Sequence, residues 1–277
     1  MSNQSPAIPA PVATPAEPAA KARRTSFFEH IDRYVVILLL LVIWQACVDS
    51  GVLLRDFLPS PADIAQAFYN FTFVDRSIWE NFAASAKRLL WGIGLSILVA
   101  LPLGVAMGWS RRFYRWVSML VELTRPIPPI AMIPVGIFYL GIGDASKIFI
   151  IWLACFFPLL LNTITGVRGI DPVLIKAART LGTPMPRMLL RVALPSALPN
   201  ILTGLRVSVG IGLMVLVAAE MVAATSGLGF FILQSEMNWK LDDMYAGIAM
   251  ISMAGFLVNA MLLRLERRLT PWHQGNR

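Results

Sequence analysis

Residues 171–195 read DPVLIKAARTLGTPMPRMLLRVALP and form a basic segment between two long apolar runs. Asp171 followed by Pro172 indicates a helix start, because aspartate caps free backbone N–H groups and proline suits the first helical position. Gly182 indicates the end of that helix, where a residue with a left-handed backbone is favoured. The first half of the segment therefore predicts a short, capped helix.

A second helix start follows at Thr183 and Pro184, and Pro195 predicts its end. Within the first helix, Ala177 and Ala178 leave room for another surface to come close. By charge alone, the segment is a solvated basic loop of the kind found on the cytoplasmic side of membrane proteins. The spacing of the alanines, glycine and prolines favours a more specific interpretation, which rests on a resemblance described below.

The composition of the whole chain indicates a membrane protein. Its 277 residues are 57% hydrophobic and 14% charged, with a mean hydropathy of +0.66, and a soluble domain is far less apolar. The net charge of +8 does not indicate nucleic acid, because the basic residues lie between apolar runs and not on one exposed face. Cys47 and Cys155 lie inside such runs, so we expect two buried thiols and no disulfide framework.

Six apolar stretches reach or approach the roughly 20 residues that a helix needs to cross a bilayer core of about 30 Å. These stretches are 34–48, 89–109, 126–143, 148–167, 201–224 and 244–263. Prolines inside them are tolerated when neighbouring helices satisfy the freed backbone groups. We therefore predict an all-α membrane protein with six transmembrane helices. No internal repeat is present, so a pore would need a second copy or another subunit.

The distribution of lysine and arginine predicts the orientation, because cytoplasmic loops carry the excess. With the N-terminus inside, most basic residues fall in inner segments. The outer segments hold only Arg55, Arg76, Lys87, Arg88, Lys147 and Lys240. We expect both termini to be cytoplasmic, residues 1–26 to be a disordered tail rich in Ala and Pro, and residues 27–273 to be the transmembrane domain.

The outer segment 51–85 is long enough for structure of its own. Ser60 is a helix cap, Pro61 suits the first position, and Asp63 complements the helix start. We predict a short helix here, at the outer surface.

Four charged residues lie within or beside the spans: Glu122, Arg125, Arg206 and Glu220. A charge in a span costs roughly 2.5–3.5 kcal/mol on insertion scales, so it normally finds a partner. Glu122 and Arg125 are three positions apart and could pair along one helix face. Two interpretations are open. The charges pair structurally between helices, or they contact substrate, with an arginine holding a sulfonate and a carboxylate holding the ammonium of a zwitterion.

Two further segments are candidates for moving parts. The proline-rich residues 126–134 are either a kink that lets the third span bend or an interfacial entry segment. Gly227, Gly229 and Phe230 are either a gate loop at the outer mouth or a turn packed on the surface.

Several classes of active site are missing from the sequence. It contains no GxxxxGK[ST] phosphate loop, no metal-ligand spacing and no nucleophile elbow. His30 and His273 are the two histidines, and both are expected near the inner surface, away from other metal ligands. We expect no enzyme activity, no ATP hydrolysis and no metal site in this chain.

The basic segment 171–195 resembles the EAA loop of ABC importer permeases. The likeness is carried by Ala177 and Ala178, by Gly182 after three intervening residues, and by residues 192–195, VALP. In that family the loop forms coupling helices that dock into a groove on a separate ATPase subunit. The resemblance implies a coupling loop over residues 171–200, with contact candidates Lys176, Ala177, Ala178, Gly182, Leu194 and Pro195. Lys176 stands where the family has the glutamate of the motif, so we do not carry over any salt bridge that this acid would make, whereas the docking geometry supplied by the alanines and Gly182 is kept.

From about residue 57 to 273 the chain resembles the branch of this family that imports nitrate, sulfonates and taurine. The likeness is carried by residues 122–129 (ELTRPIPP), 141–148 (GIGDASKI), 216–220 (LVAAE), 227–230 (GLGF) and 267–273 (RRLTPWH). It implies the type I ABC importer permease fold in the inner membrane and a homodimer with one pore. It also implies two cytoplasmic ATPase subunits, which hold ATP and Mg, and a periplasmic binding protein.

The resemblance makes taurine or a related small sulfonate the expected substrate, with nitrate or another small anion of the family as the alternative. A different class, an ATP-independent channel or secondary carrier, would not need Ala177, Ala178 and Gly182 at this spacing. We expect no cofactor in this chain itself.

Overall fold

A computed structural model describes residues 27–54, 57–74 and 77–271, and within these ranges it is helical without a strand. The helices are α1 Phe27–Asp49, α2 Pro61–Tyr69, α3 Ser77–Trp109, α4 Arg111–Thr124, α5 Ile133–Leu140, α6 Asp144–Arg168, α7 Pro172–Thr180, α8 Met185–Met188, α9 Leu194–Ala223, α10 Leu228–Met237 and α11 Leu241–Leu269. The predicted tail, residues 1–26, and His273 lie outside the described residues. The predicted all-α class is confirmed.

Four helices are long and apolar enough to cross a membrane: Ile78–Trp109, Asp144–Arg168, Met185–Ala223 and Leu241–Leu269. A fifth candidate span is α4 together with Pro129–Leu140, which meets the same criteria as a bent pair. In α1 the stretch Leu38–Asp49 is apolar but shorter. The count of six spans stays a prediction.

Of the third predicted span, residues 126–143, only Pro129–Leu140 is helical, and it meets the criteria for a span only together with α4. The helix α4 ends at Thr124, a short 3-10 helix covers Pro129–Met132, and α5 follows. The axes of α4 and of Pro129–Leu140 differ by 81°. Prolines between the two halves have no N–H to donate and clash with a preceding helical turn, so the chain bends here. The structure thus has a kink in the proline-rich segment.

The core is built around α6, which packs between α3 and α9. The face of α3 towards α6 carries small residues four positions apart: Gly92, Ser96, Ala100, Gly104 and Gly108. A Cβ added at Gly104 would lie 2.7 Å from Cβ of Thr163, so the two backbones approach closely. Membrane helices associate through such close packing, because lipid tails remove the hydrophobic force between them.

The contact between α6 and α9 follows the same rule. A Cβ at Gly204 would lie 2.5 Å from Cβ of Asn162. The buried Ser208 hydroxyl donates to the Cys155 carbonyl at 2.9 Å. Cys155 is buried as predicted, whereas Cys47 is only half-buried because α1 lies at the edge of the bundle.

The short helix predicted in segment 51–85 is confirmed as α2. Ser60 caps it and shares a reciprocal capping box with Asp63, the two backbone N–H groups donating to the opposite side chains at 3.2 Å.

The bundle has two ends, which we name for reference. At one end α3 and α6 finish and α7 begins, and we call it the coupling end. At the other, α6 and α10 begin, and we call it the far end.

Candidate functional site

The first helix predicted in segment 171–195 is confirmed as α7, and its coupling role stays a prediction. The Asp171 carboxylate accepts the Val173 N–H at 2.8 Å, and Pro172 occupies the first turn. After the last turn, Gly182 adopts φ +68°, and its N–H donates to the Arg179 carbonyl at 2.9 Å. Gly182 is suited to this helix end because glycine has no Cβ and therefore adopts the left-handed backbone conformation without a steric penalty.

The predicted end of the second helix at Pro195 is wrong. The short helix α8 runs without interruption through a π-helical turn, Leu189–Ala193, into α9, so that Met185–Ala223 forms one helical unit of 39 residues. Pro195 lies in the first turn of α9, directly after this π-helical turn. The wider turn accommodates the proline ring and the missing N–H. The second half of the coupling loop is therefore the base of a spanning helix.

The coupling candidates are not equally accessible. Lys176 and Ala177 are exposed on α7. Gly182 is also exposed, and a Cβ added there would meet nothing within 4 Å. Ala178 is buried against the bundle, so its small size serves internal packing. Leu194 and Pro195 are half-buried at the base of α9.

Three exposed apolar residues of this region were not predicted from the sequence. Val173 and Leu174 of α7 and Leu181 after it are exposed to 66%, 48% and 84%. Apolar side chains exposed on a short helix are suited to a partner's groove. The sequence signal that could have identified Val173 and Leu174 was their position in the first turn of the predicted helix.

At the far end the structure holds a charge cluster, which we define as Ser85, Arg88, Asp144 and Glu220. Arg88 bridges the two carboxylates. Its Nε donates to Asp144 Oδ1 and its Nη1 to Glu220 Oε1, both at 2.7 Å. Only 5% of the Arg88 side chain and 0% of the Glu220 side chain are exposed. The guanidinium offers donors in a planar fork, which lets one residue join three helices, α3, α6 and α9.

Glu220 has further donors around it. The Ser85 hydroxyl lies 2.8 Å from both carboxylate oxygens, and the Gly229 N–H donates to Oε2 at 2.9 Å. Gly229 lies in the first turn of α10, so the carboxylate also faces the positive end of that helix. A buried carboxylate requires this degree of compensation.

The two glycines predicted as gate residues pack against this carboxylate. Gly227 has φ +121°, and a Cβ there would lie 2.4 Å from the Glu220 carboxyl carbon. A Cβ at Gly229 would lie 2.6 Å from the Val217 carbonyl oxygen. Phe230 is half-buried in the next position. The gate role stays a prediction; the structure places these residues at the contact between α9 and α10.

Lys147 is a second buried cation at the far end. Its Nζ donates to the Gly143 carbonyl at 3.0 Å and to the Ala223 carbonyl at 2.6 Å. Ala223 is the last residue of α9, so the ammonium satisfies a free carbonyl at a helix end. The charge distribution along the sequence assigned Lys147 and Arg88 to outer segments, and the structure places both inside spanning helices.

The remaining intramembrane candidates divide into two pairs. Arg206 of α9 forms an ion pair with Glu266 of α11. Glu122 and Arg125 are exposed, and neither forms an ion pair with a residue that the structure describes. The mutual ion pair that their spacing allows is thus not formed, although Arg125, which caps α4, still has a helical backbone.

Ser85, Arg88 and Asp144 were not predicted as site residues from the sequence. A signal was present. Ser85 and Arg88 are three positions apart, which places them on one helix face, and Asp144 lies in the GIGDASKI stretch that carried the family likeness.

The coupling end contains a basic cleft of about 970 Å³ where α3, α4, α6 and α7 meet. Its arginines are Arg111, Arg115, Arg168 and Arg179. Arg168 stacks on Tyr114, with its Cζ 3.6 Å from the ring centroid.

Comparisons with known proteins agree with this architecture. The family described as binding-protein-dependent transport system inner membrane component matches residues 92–271. The taurine transport system permease protein of Escherichia coli is 39% identical over 84% of this chain and 86% of that protein. The nitrate import permease protein of a Synechocystis strain is 27% identical over 87% of this chain and 89% of that protein.

Among solved structures, a chain of the MetNI methionine ABC transporter in an inward-facing conformation matches with a TM-score of 0.60 and 21% identity. The match covers 73% of this chain and 98% of that chain. The predicted type I ABC permease fold is thereby confirmed. Proteins of this kind are membrane subunits without an ATPase site of their own, and the ATPase is a separate partner. The chain therefore belongs to the family of binding-protein-dependent transport system inner membrane components, as an ABC importer permease of the taurine, sulfonate and nitrate group.

Proposed function

We propose that the chain carries taurine or a related small sulfonate across the inner membrane, as the permease of an ATP-driven importer. The observation that carries the substrate class is its 39% identity to a taurine permease over most of both chains. A periplasmic binding protein delivers the substrate, and two ATPase subunits bind on the cytoplasmic side. Both termini lie in the cytoplasm, as the basic residues at the coupling end favour.

The coupling end supports an ATP-driven mechanism. The helix α7 presents exposed Val173, Leu174 and Leu181 to a docking groove, and Gly182 leaves the surface beside them open. The Thr183 N–H donates to the Ala178 carbonyl at 3.1 Å, which ties α7 to the start of the helical unit 185–223. Movement of α7 thus reaches Glu220 through one continuous helix.

A homodimer completes the pathway. Many apolar side chains of the described spans are exposed in the single chain, and a second copy can cover those that do not face lipid. Closure of the ATPase pair on ATP drives the two copies into an outward-facing state, and hydrolysis returns them, which is alternating access.

Substrate choice is tested by ATPase stimulation in nanodiscs. The full importer is assembled with its cognate binding protein, loaded in turn with taurine, with longer alkanesulfonates and with nitrate. Taurine is expected to stimulate most. Greater stimulation by nitrate would overturn the sulfonate assignment but keep the importer.

The mechanism is tested by co-purification in mild detergent. An ATPase subunit is expected to remain bound to the permease. Transport that persists in vesicles without any ATPase would instead favour a channel or secondary carrier.

A further inference from the structure

We propose that the basic cleft at the coupling end binds the phosphate headgroup of an anionic phospholipid. The cleft encloses about 970 Å³, and its four arginines come from different elements: Arg111 and Arg115 from α4, Arg168 from the end of α6, and Arg179 from α7.

The charge of the cleft is uncompensated within the described part of the chain. None of its lining residues is an aspartate or glutamate. None of the four arginines forms an ion pair with a described residue, since the ion pairs there join Lys87, Arg88 and Arg206 to carboxylates elsewhere. Guanidinium groups favour phosphate because their planar forks donate two parallel hydrogen bonds. An anion from outside the chain is the natural complement.

The position of the cleft favours a lipid as the source of that anion. It lies where the apolar helices α3 and α6 end, at Trp109 and Arg168. Trp109 and Tyr114 line it, and these residue types concentrate at the headgroup level of a bilayer. Basic pockets between spanning helices on the cytoplasmic side are typical headgroup sites.

The neighbouring surface continues the same pattern. Beyond the arginines, α4 exposes Trp116 (68%), Met119 (70%) and Leu120 (63%), an apolar surface suited to acyl chains. The exposed apolar residues at the start of α7, by contrast, are separate from the two α7 residues that line the cleft, Ile175 and Arg179. One part of α7 is thus available to an ATPase and another to a headgroup.

The stacking of Arg168 on Tyr114 prepares the site. A guanidinium held 3.6 Å above a ring centroid keeps its orientation through a cation–π contact, while its edge stays free to donate. A headgroup held there and by Arg179 would tether α7 to the ends of α4 and α6. Anionic lipid would then stabilise one position of the coupling helix.

Native mass spectrometry of the full-length chain in a neutral detergent tests the proposal without ATPase, binding protein or substrate, so its result is independent of the transport function. The chain is titrated with phosphatidylglycerol or with phosphatidylcholine. We expect the phosphatidylglycerol adduct to form at about tenfold lower lipid concentration.

The variant R111Q/R115Q is expected to lose most of this preference, and R179Q part of it. The matched control is R264Q/R268Q, which removes the same charge from exposed positions of α11 outside the cleft. All these side chains are exposed, so the variants should fold, and unchanged thermal unfolding verifies this.

Four results would overturn the proposal. They are equal binding of the two lipids, full preference retained by R111Q/R115Q, the same loss in the control, and displacement of the lipid by soluble glycerol phosphate at comparable concentration. The last would identify a site for free anions. In a separate titration with purified ATPase added, displacement of the lipid would be a fifth such result, because it would assign the cleft to that partner.

Discussion

At the far end of the bundle, Arg88 and Glu220 meet in a buried pair at 2.7 Å, whereas at the coupling end Arg111 and Arg179 face an open cleft without a carboxylate. Both ends use arginine. At the far end, hydrogen-bond acceptors of the same chain surround the arginine. At the coupling end, the arginines are free to bind a group from outside the chain. The difference indicates that the far end is held together internally, whereas the cleft at the coupling end is open to the partner that we propose for it.

The energetic consequences of the two arrangements differ. Removing one member of a buried, hydrogen-bonded charge pair leaves the other uncompensated in a medium of low dielectric constant. Removing an exposed arginine costs the fold little, because water and salt screen it. Substitutions at the far end should therefore change stability, and substitutions at the coupling end should change coupling and binding.

The largest effect is expected from Arg88→Ala. Glu220 would stay fully buried without its cation, and the free energy of unfolding should fall by about 3–5 kcal/mol. Denaturant unfolding in detergent micelles measures it. The neighbouring Lys87→Ala is the control, since Lys87 also pairs with Asp144, at 3.3 Å, but 61% of its side chain is exposed; it should cost about 0–1 kcal/mol. Similar losses in the two variants would contradict the buried-pair account.

The next effect concerns the contact between α9 and α10. Gly227→Ala would place a Cβ at φ +121° and 2.4 Å from the Glu220 carboxyl carbon, and about 1–3 kcal/mol of stability should be lost through the backbone strain alone. The control is Gly94→Ala, because a Cβ at Gly94 meets nothing within 4 Å and alanine favours a helix. Thermal unfolding of both variants checks this, and an unstable Gly94→Ala with a stable Gly227→Ala would reverse our assignment.

The third prediction concerns coupling. Gly182→Asp should uncouple ATP hydrolysis from transport, because a carboxylate would be buried unpaired when α7 docks. Uptake should fall by about tenfold, which corresponds to ~1.4 kcal/mol. Gly182→Asn is the matched control, since asparagine has the same shape and also tolerates the left-handed conformation at φ +68°. Uptake and ATPase activity in proteoliposomes are compared; full-rate transport by Gly182→Asp would show that the surface around Gly182 is not the docking surface.

The smallest effect distinguishes two roles of Arg206. If its ion pair with Glu266 is structural, Arg206→Ala and Glu266→Ala should lower stability similarly, by about 1 kcal/mol, since both side chains are partly exposed. If Arg206 contacts a sulfonate, Arg206→Ala alone should abolish uptake in folded protein. Uptake in reconstituted vesicles, normalised to folded permease, separates the two outcomes.

The accuracy of prediction from the sequence depended on how local the decisive interaction is. The caps of α2 and α7 involve residues within a few positions of each other, and Ser60, Asp171 and Gly182 were recognised correctly. The buried partner of Glu220 was missed because Arg88 lies 132 positions earlier and follows directly on another charge, Lys87. A hydropathy pattern assigns two consecutive charged residues such as Lys87 and Arg88 to a loop. Here the Arg88 side chain points into the bundle and the Lys87 side chain points outwards.

The continuation of the helix through Pro195 shows a similar limit. A proline normally ends a helix because it lacks an N–H and crowds the preceding turn. The wide turn Leu189–Ala193 relieves that crowding, and Ala193 and Ala197, both buried, hold it in place through packing against the rest of the bundle. The pattern of residues 185–200 alone contained no sign of that packing.

By itself the sequence determined that the chain lies in a membrane, that it is helical, where the capped helix α7 lies and to which family it belongs. These properties depend on apolar runs, caps and glycine spacing, which act over short distances along the chain. Tertiary structure alone decided which charges meet. A guanidinium in an apolar bundle must find acceptors wherever the helices bring them, so Arg88 pairs with Asp144 and Glu220 from two other helices. The cleft arginines, at the ends of helices where no carboxylate arrives, remain open to a partner.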